Sequence, residues 1–114
     1  MKTMLLLIFL LALSQSNAQW TKVSNGMGNF SVYSLASTGN IIFAGAGTYS
    51  NPHGVYISSN NGELWMQTSL NNQSVLSLVI NGNYVYAGTS TIGVYVSTNS
   101  GLNWSQTPLN NREV

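Results

Sequence analysis

The sequence contains no cysteine and no aspartate, and only 4% of its residues are charged. An ordinary soluble domain carries roughly 25% charged residues, so the polarity of this chain comes from Asn, Ser, Thr and Gly instead. The absence of cysteine excludes disulfides, thiol chemistry and cysteine-ligated zinc sites. Three basic residues against two acidic ones cannot hold a phosphate backbone, so nucleic acid is not an expected partner.

Residues 1–18 are predicted to be a signal peptide. The apolar run at 4–13 follows a lysine and is shorter than the roughly 20 residues of a membrane-spanning helix. Ser16 and Ala18 place small side chains where signal peptidase requires them, so cleavage is expected after Ala18. The alternative is a buried apolar helix, but no other segment has helical periodicity to pack against it. The chain is therefore expected to be secreted or extracytoplasmic, with no membrane span after cleavage.

The rest of the chain contains an internal repeat. Residues 31–45 align with residues 74–88 at a spacing of 43, and residues 54–65 align with residues 93–104 at a spacing of 39. The first copy therefore holds a four-residue insertion near 49–53. A period near 40 that contains four short β-rich runs between turn residues is typical of one blade of a β-propeller.

Each copy is predicted to contain four strands, labelled A to D. They cover 31–37, 40–45, 54–58 and 63–68 in the first copy, and 74–80, 83–89, 93–97 and 102–107 in the second. Gly39 and Gly82 supply the positive φ that the tight A–B turns need. Runs such as 75–80 are apolar nearly throughout, which favours a sheet covered on both faces.

These patterns predict an all-β, propeller-type fold of two four-stranded antiparallel blades plus one N-terminal orphan strand, because the segment around Trp20 resembles the D strands. The predicted divisions after the signal peptide are a closing strand and loop at 19–30, blade 1 at 31–70, blade 2 at 71–109 and the start of a further segment at 110–114. Two blades leave open strand edges, and propellers have ~4 to 8 blades. The chain is therefore expected to be a fragment of a longer propeller or to self-associate through its open blade edges.

An octapeptide motif, Ser-x-Asn-x-Gly-x-x-Trp, occurs between strands C and D of each copy. Its members are Ser58, Asn60, Gly62 and Trp65 in the first copy and Ser97, Asn99, Gly101 and Trp104 in the second. The Asn side chains are expected to fold back on the following backbone as Asx-turns, and the glycines to adopt the left-handed conformation. All three tryptophans, Trp20 included, are expected to pack in the core or between blades.

This motif resembles the Asp-box, or BNR, repeat, whose pattern is Ser-x-Asp-x-Gly-x-Thr-Trp on the C–D hairpin of a propeller blade. The resemblance covers residues 19–114 and is nearest to exported bacterial BNR-like or photosystem II assembly factor-like repeat proteins. It departs at Asn60 and Asn99, where the family has Asp, and at Leu64 and Asn103, where Thr is common. Sialidases, xyloglucan-degrading glycosidases and sortilin-type receptors also use the box, so the resemblance implies an architecture and not an activity.

Catalysis is not expected of this chain, and neither a cofactor nor a metal is predicted. A glycosidase needs two positioned carboxylates, and only Glu63 and Glu113 are available. A sialidase would need several arginines to hold the sugar carboxylate, whereas Arg112 is alone. His53 has no Asp, Cys or second His near it in the sequence, and it is interpreted as a loop histidine.

The insertion marks the candidate recognition surface. In a meander of strands A to D, the A–B and C–D turns lie at one end and the B–C and D–A loops at the other. Loops carry function more often than the hairpins that set the strand register. The predicted B–C loop, Ala46 to His53, therefore supplies the candidate ligand-binding residues, which are Tyr49, Asn51 and His53. The expected function is binding of a protein or glycan; the alternative is a truncated structural piece of a larger propeller, such as a glycosidase or sialidase-like protein, without independent activity.

Overall fold

The computed structural model describes residues 19–109. The predicted signal peptide with its cleavage site, and the predicted further segment at 110–114, lie outside the described residues. Every regular element of residues 19–109 is a β-strand, so the all-β prediction is confirmed. No helix in this part of the chain is long and apolar enough to cross a membrane.

The strands form two four-stranded antiparallel sheets, each a meander in chain order. The first sheet consists of β1 (Val32–Thr38), β2 (Ile41–Thr48), β3 (Asn51–Ser58) and β4 (Met66–Gln67). The second sheet consists of β5 (Val75–Asn81), β6 (Tyr84–Thr89), β7 (Val94–Ser97) and β8 (Ser105–Gln106). The D strands are shorter than predicted, because the motif residues that precede them form a turn and not an extended chain.

Two-residue turns join the A and B strands. The first lies where it was predicted, and the second lies at Gly82 and Asn83, one residue later than predicted, because Asn81 pairs with Tyr84. The pairing of β1 with β2 runs up to Thr38 and Ile41, so the chain reverses at Gly39 and Asn40. Gly39 has a φ of 59° and Gly82, in the equivalent turn of the second sheet, has a φ of 62°. Glycine adopts this conformation without the steric penalty of a Cβ atom, which explains its place in both turns.

The prediction of a B–C loop from Ala46 to His53 in the first sheet is wrong, because these residues extend the β2–β3 hairpin. The β2–β3 ladder continues to a pair between Thr48 and Asn51, with a register shift between Ala46 and Gly47. Gly47 has a φ of 105°, which lets a bulge absorb the irregularity in the ladder. The inserted residues thus lengthen two paired strands and do not form an irregular loop.

The two sheets pack face to face around one apolar cluster, the inner cluster. Its buried members are Phe43, Val55, Leu70, Val75, Val85 and Ala87. A second cluster covers the opposite face of the first sheet, and its buried members are Met27, Ala44, Ala46, Tyr56 and Trp65. Burying each large apolar side chain contributes about 1.5–3 kcal/mol, so the inner cluster is the main stabilising contact between the sheets.

The N-terminal segment lies on a sheet face and does not extend a sheet edge. Residues 19–31 contain no strand, so the predicted orphan strand is not formed, and Trp20 is fully exposed. The Met27 side chain is 5% exposed and packs in the second cluster, next to Trp65. Apolar burial at Met27 and the hydrogen bond from the Trp65 N–H to the Asn25 carbonyl, at 2.8 Å, therefore anchor this segment.

Candidate functional site

The two motif hairpins have nearly identical hydrogen bonds. In the first, the Ser58 hydroxyl accepts the Gly62 N–H at 2.8 Å and donates to Asn60 Oδ1 at 2.9 Å. Asn60 Oδ1 also accepts the Leu64 N–H at 3.0 Å. The second hairpin repeats these bonds at 2.7, 3.0 and 2.9 Å with Ser97, Asn99, Gly101 and Asn103. The Asn side chains fold back on the following backbone as predicted, but onto the N–H four residues further on and not two residues on as in an Asx-turn. The prediction of left-handed glycines is confirmed, with φ values of 88° and 86°.

Each motif hairpin is also bonded to the A–B turn of its own sheet. The Asn61 N–H donates to the Asn40 carbonyl at 3.1 Å, and the Ser100 N–H donates to the Asn83 carbonyl at 3.0 Å. The Asn40 side chain donates to the Ser59 carbonyl at 2.9 Å in addition. The motifs therefore close one end of each sheet, and their polar groups are used for turn structure.

The three tryptophans occupy three different environments. Trp65 is 5% exposed, and its Nε1 donates to the Val23 carbonyl at 2.8 Å. Trp104 is half-buried against the inner cluster, and its Nε1 is buried with no hydrogen-bond partner among residues 19–109. Packing in the interior is thus confirmed for the two motif tryptophans and wrong for Trp20.

The opposite end of the first sheet carries a small polar pocket of about 120 Å³. Its lining residues are Asn29, Phe30, Ser31, Gly47, Thr48, Asn51 and His53. Two of the three candidate ligand-binding residues, Asn51 and His53, therefore share one cavity. Tyr49 is outside the lining; it lies in the β2–β3 turn and is 77% exposed.

The His53 side chain is held by an aromatic neighbour. Its imidazole stacks on the Phe30 ring, with ring centroids 3.4 Å apart and an angle of 19° between the planes. The Gln67 side chain donates to the His53 carbonyl at 2.8 Å and so fixes the backbone. His53 Nε2 is buried and has no hydrogen-bond partner in the described part of the chain.

Asn29 and Phe30 were not among the residues that the sequence predicted for this site. Phe30 stands where the second copy has Gln73, and this difference between the copies is the signal that could have found it. Asn29 lies beside Phe30 in the D–A connection, and its side-chain oxygen accepts a hydrogen bond from Lys22 at 2.8 Å. The pocket therefore combines the lengthened hairpin with the segment that precedes β1.

A larger groove of about 480 Å³ lies on the outer face of the first sheet. Its apolar lining includes Val23, Met27, Val32, Leu35, Ala44 and Trp65. Leu35, in the middle of β1, is 64% exposed. This groove has no counterpart in the sequence predictions.

Acidic and metal-ligating side chains are few and scattered in the described residues. No group of three or more His, Cys, Asp or Glu side chains comes together within residues 19–109. Glu63, the one carboxylate residue in that range, is exposed in the first motif hairpin, far along the sheet from the polar pocket. Comparisons with models of known protein families and with curated protein sequences find no match.

Proposed function

We propose that this chain is an exported, non-catalytic module of the Asp-box β-propeller type that binds a glycan at the end of the first sheet formed by the β2–β3 hairpin. The polar pocket of about 120 Å³ at that end is the observation that carries the proposal. It lies on the only part of the repeat where the first copy is longer than the second, and opposite the motif hairpins.

The propeller assignment is supported by how the two repeats pack. Both are four-stranded meanders with the same side-chain turn before the last strand, and they stack through their faces and not through their edges. Blades of a propeller pack in this way. Asn60 and Asn99, which stand where the Asp-box pattern has Asp, make the turn with an amide oxygen where the family uses a carboxylate.

A glycan fits the chemistry of the site better than a charged ligand. Asn29 and Asn51 each offer an amide that both donates and accepts, which suits sugar hydroxyls. His53 also lines this pocket. The exposed Tyr49 ring at the hairpin tip provides an apolar face with a polar hydroxyl, suitable for stacking on a sugar ring.

The binding proposal can be tested with a panel of neutral oligosaccharides titrated into the secreted protein. The double variant Tyr49→Ala/Asn51→Ala should weaken binding about tenfold or more without lowering the melting temperature, because Tyr49 and Asn51 are exposed. His53→Ala should weaken binding as well, but it also removes the stacking on Phe30, worth about 1 kcal/mol.

Glu63→Gln is the matched control, because Glu63 is exposed at the opposite end of the same sheet. It should bind as the wild type does. If the double variant bound normally and Glu63→Gln did not bind, the site would lie at the end with the motif hairpins, and the proposal would be wrong.

The second candidate is a structural piece of a larger propeller protein without activity of its own. It is favoured by the exposed apolar side chains on the outer sheet faces, such as Leu35 at 64% and Val79 at 58%. A secreted chain that binds no oligosaccharide of the panel and has no cooperative unfolding transition would support this candidate over the first.

A further inference from the structure

The two sheets are copies of one repeat, so the packed contact between them, called the inner contact below, indicates how their outer faces can pack. Residues directly opposite each other in a ladder share a face, so Ala36 and Phe43 of the first sheet point to the same side. Phe43 belongs to the inner cluster, and this side of the first sheet therefore faces the second sheet. The second sheet meets it with Leu78 and Ala87, which are also opposite each other.

By the repeat alignment, the residues on the inner face of the first sheet correspond to residues on the outer face of the second sheet. The spacing of 43 places Val79 at the position of Ala36, Tyr84 at that of Ile41 and Tyr86 at that of Phe43. Val79 pairs with Tyr86 and is 58% exposed, and Tyr84 is 47% exposed. Phe43 is 1% exposed, so the same position is buried where a neighbouring sheet covers it.

By the same alignment, the residues on the inner face of the second sheet correspond to residues on the outer face of the first sheet. Leu35 corresponds to Leu78, and Ala44 corresponds to the fully buried Ala87. Leu35 and Ala44 are opposite each other in the ladder, and both line the apolar groove of about 480 Å³. Trp65, which corresponds to Trp104, also lines this groove.

We propose that the outer face of the second sheet docks on the outer face of the first sheet of a second copy of this chain, and so repeats the inner contact between the sheets. The partner is a second copy because each chain contains both kinds of face that pack against each other in the inner contact. Each copy uses two different faces, so the association is head-to-tail and proceeds to a closed ring or an open chain of molecules. The groove adjoins the polar pocket, since Asn29 and Phe30 line both, but the association does not depend on ligand binding at that pocket.

A local adjustment is required at Gly62. The Phe43 ring covers Gly101 in the inner contact, whereas at the equivalent Gly62 the Val23 Cγ2 atom lies 3.5 Å from where a Cβ atom would be. An incoming Tyr86 ring must therefore displace the Val23 side chain, which is 54% exposed. The hydrogen bond from Trp65 to the Val23 carbonyl uses the backbone and can remain.

The test is the mass of the secreted protein by size-exclusion chromatography with light scattering over a wide concentration range. The wild type should form dimers and larger species as its concentration rises. Leu35→Lys on the first sheet and Val79→Lys on the second should each weaken the association about a hundredfold or more, because each buries an unpaired ammonium group in the contact.

Mixing the two variants decides the geometry of the contact. Each variant keeps one intact face, so an equimolar mixture should form a one-to-one dimer and nothing larger. The matched control is Thr98→Lys, which adds the same charge at an exposed turn position and should assemble as the wild type does. Unchanged circular dichroism of each variant shows that it is folded.

A wild type that stays monomeric at every concentration would overturn the proposal, even if another protein bound the groove. A mixture of the two lysine variants that stays monomeric would overturn it as well, because a head-to-tail contact must be restored by that mixture.

Discussion

The Phe43 ring of the first sheet lies directly against Gly101 of the second sheet, so that a Cβ atom on Gly101 would be 2.5 Å from Phe43 Cε1. This contact joins the middle of a B strand to the motif hairpin of the next repeat. The glycine of the motif therefore serves two purposes, since it adopts a left-handed conformation and also leaves room for an aromatic ring from the neighbouring sheet.

Gly101→Ala should lower the free energy of unfolding by about 1–3 kcal/mol for its positive φ, with an added cost for the clash with Phe43. Gly82→Ala is the control, because Gly82 also has a positive φ but has no atom within 4 Å of its Cβ position. Urea denaturation of both variants measures the difference. Combining Gly101→Ala with Phe43→Leu should cost less than the sum of the single changes. Equal losses for the two glycine variants would contradict the packing role.

Asn60→Ala should destabilise the protein by about 1–2 kcal/mol, because the Ser58 hydroxyl and the Leu64 N–H both lose their acceptor. Asn99→Ala should cost a similar amount, since its hydrogen bonds have the same geometry. Asn60→Asp keeps the acceptor and should be at least as stable as the wild type, because bonds to an ionised acceptor are stronger. Thermal melts at neutral pH make the comparison, and an Asn60→Asp protein less stable than Asn60→Ala would argue against the turn assignment.

The two motif tryptophans should respond differently to the same substitution. Trp65→Phe loses the hydrogen bond to the Val23 carbonyl and should cost about 1–2 kcal/mol more than Trp104→Phe, which removes a buried N–H that has no partner among residues 19–109. Trp65→Ala should cost about 3 kcal/mol or more, because it leaves a cavity in the second cluster. Denaturant titration of the three variants gives these differences. The expectation fails if Trp104→Phe proves the more damaging of the two conservative changes.

Export should leave a mature protein that begins at Gln19, because Ser16 and Ala18 form the predicted signal-peptidase boundary. Expression of the full chain in a bacterium with a secretory pathway, followed by intact-mass analysis of the extracytoplasmic fraction, tests this. A secreted species that retains Met1 would refute the predicted cleavage, and an Ala18→Leu variant should accumulate uncleaved.

The sequence by itself determined the repeat, the strands and the motif turns, because these depend on local chemistry. Gly39 and Gly82 reverse the chain where only a positive φ closes a two-residue turn. Asn60 folds back on a backbone N–H four residues further along, within the span that its own octapeptide controls. Such contacts are close in sequence and can be read from residue type and spacing.

Only the tertiary structure decided how the insertion folds and which aromatic residues are buried. Whether the residues at 46–53 pair or form a loop depends on the length of the β2–β3 ladder and on the bulge at Gly47, which residue types alone do not specify. Trp20 has a sequence context like that of Trp65, yet it is fully exposed because no sheet face lies against it. The stacking of His53 on Phe30 joins residues from separate segments, and burial of this kind arises only when the chain brings distant surfaces together.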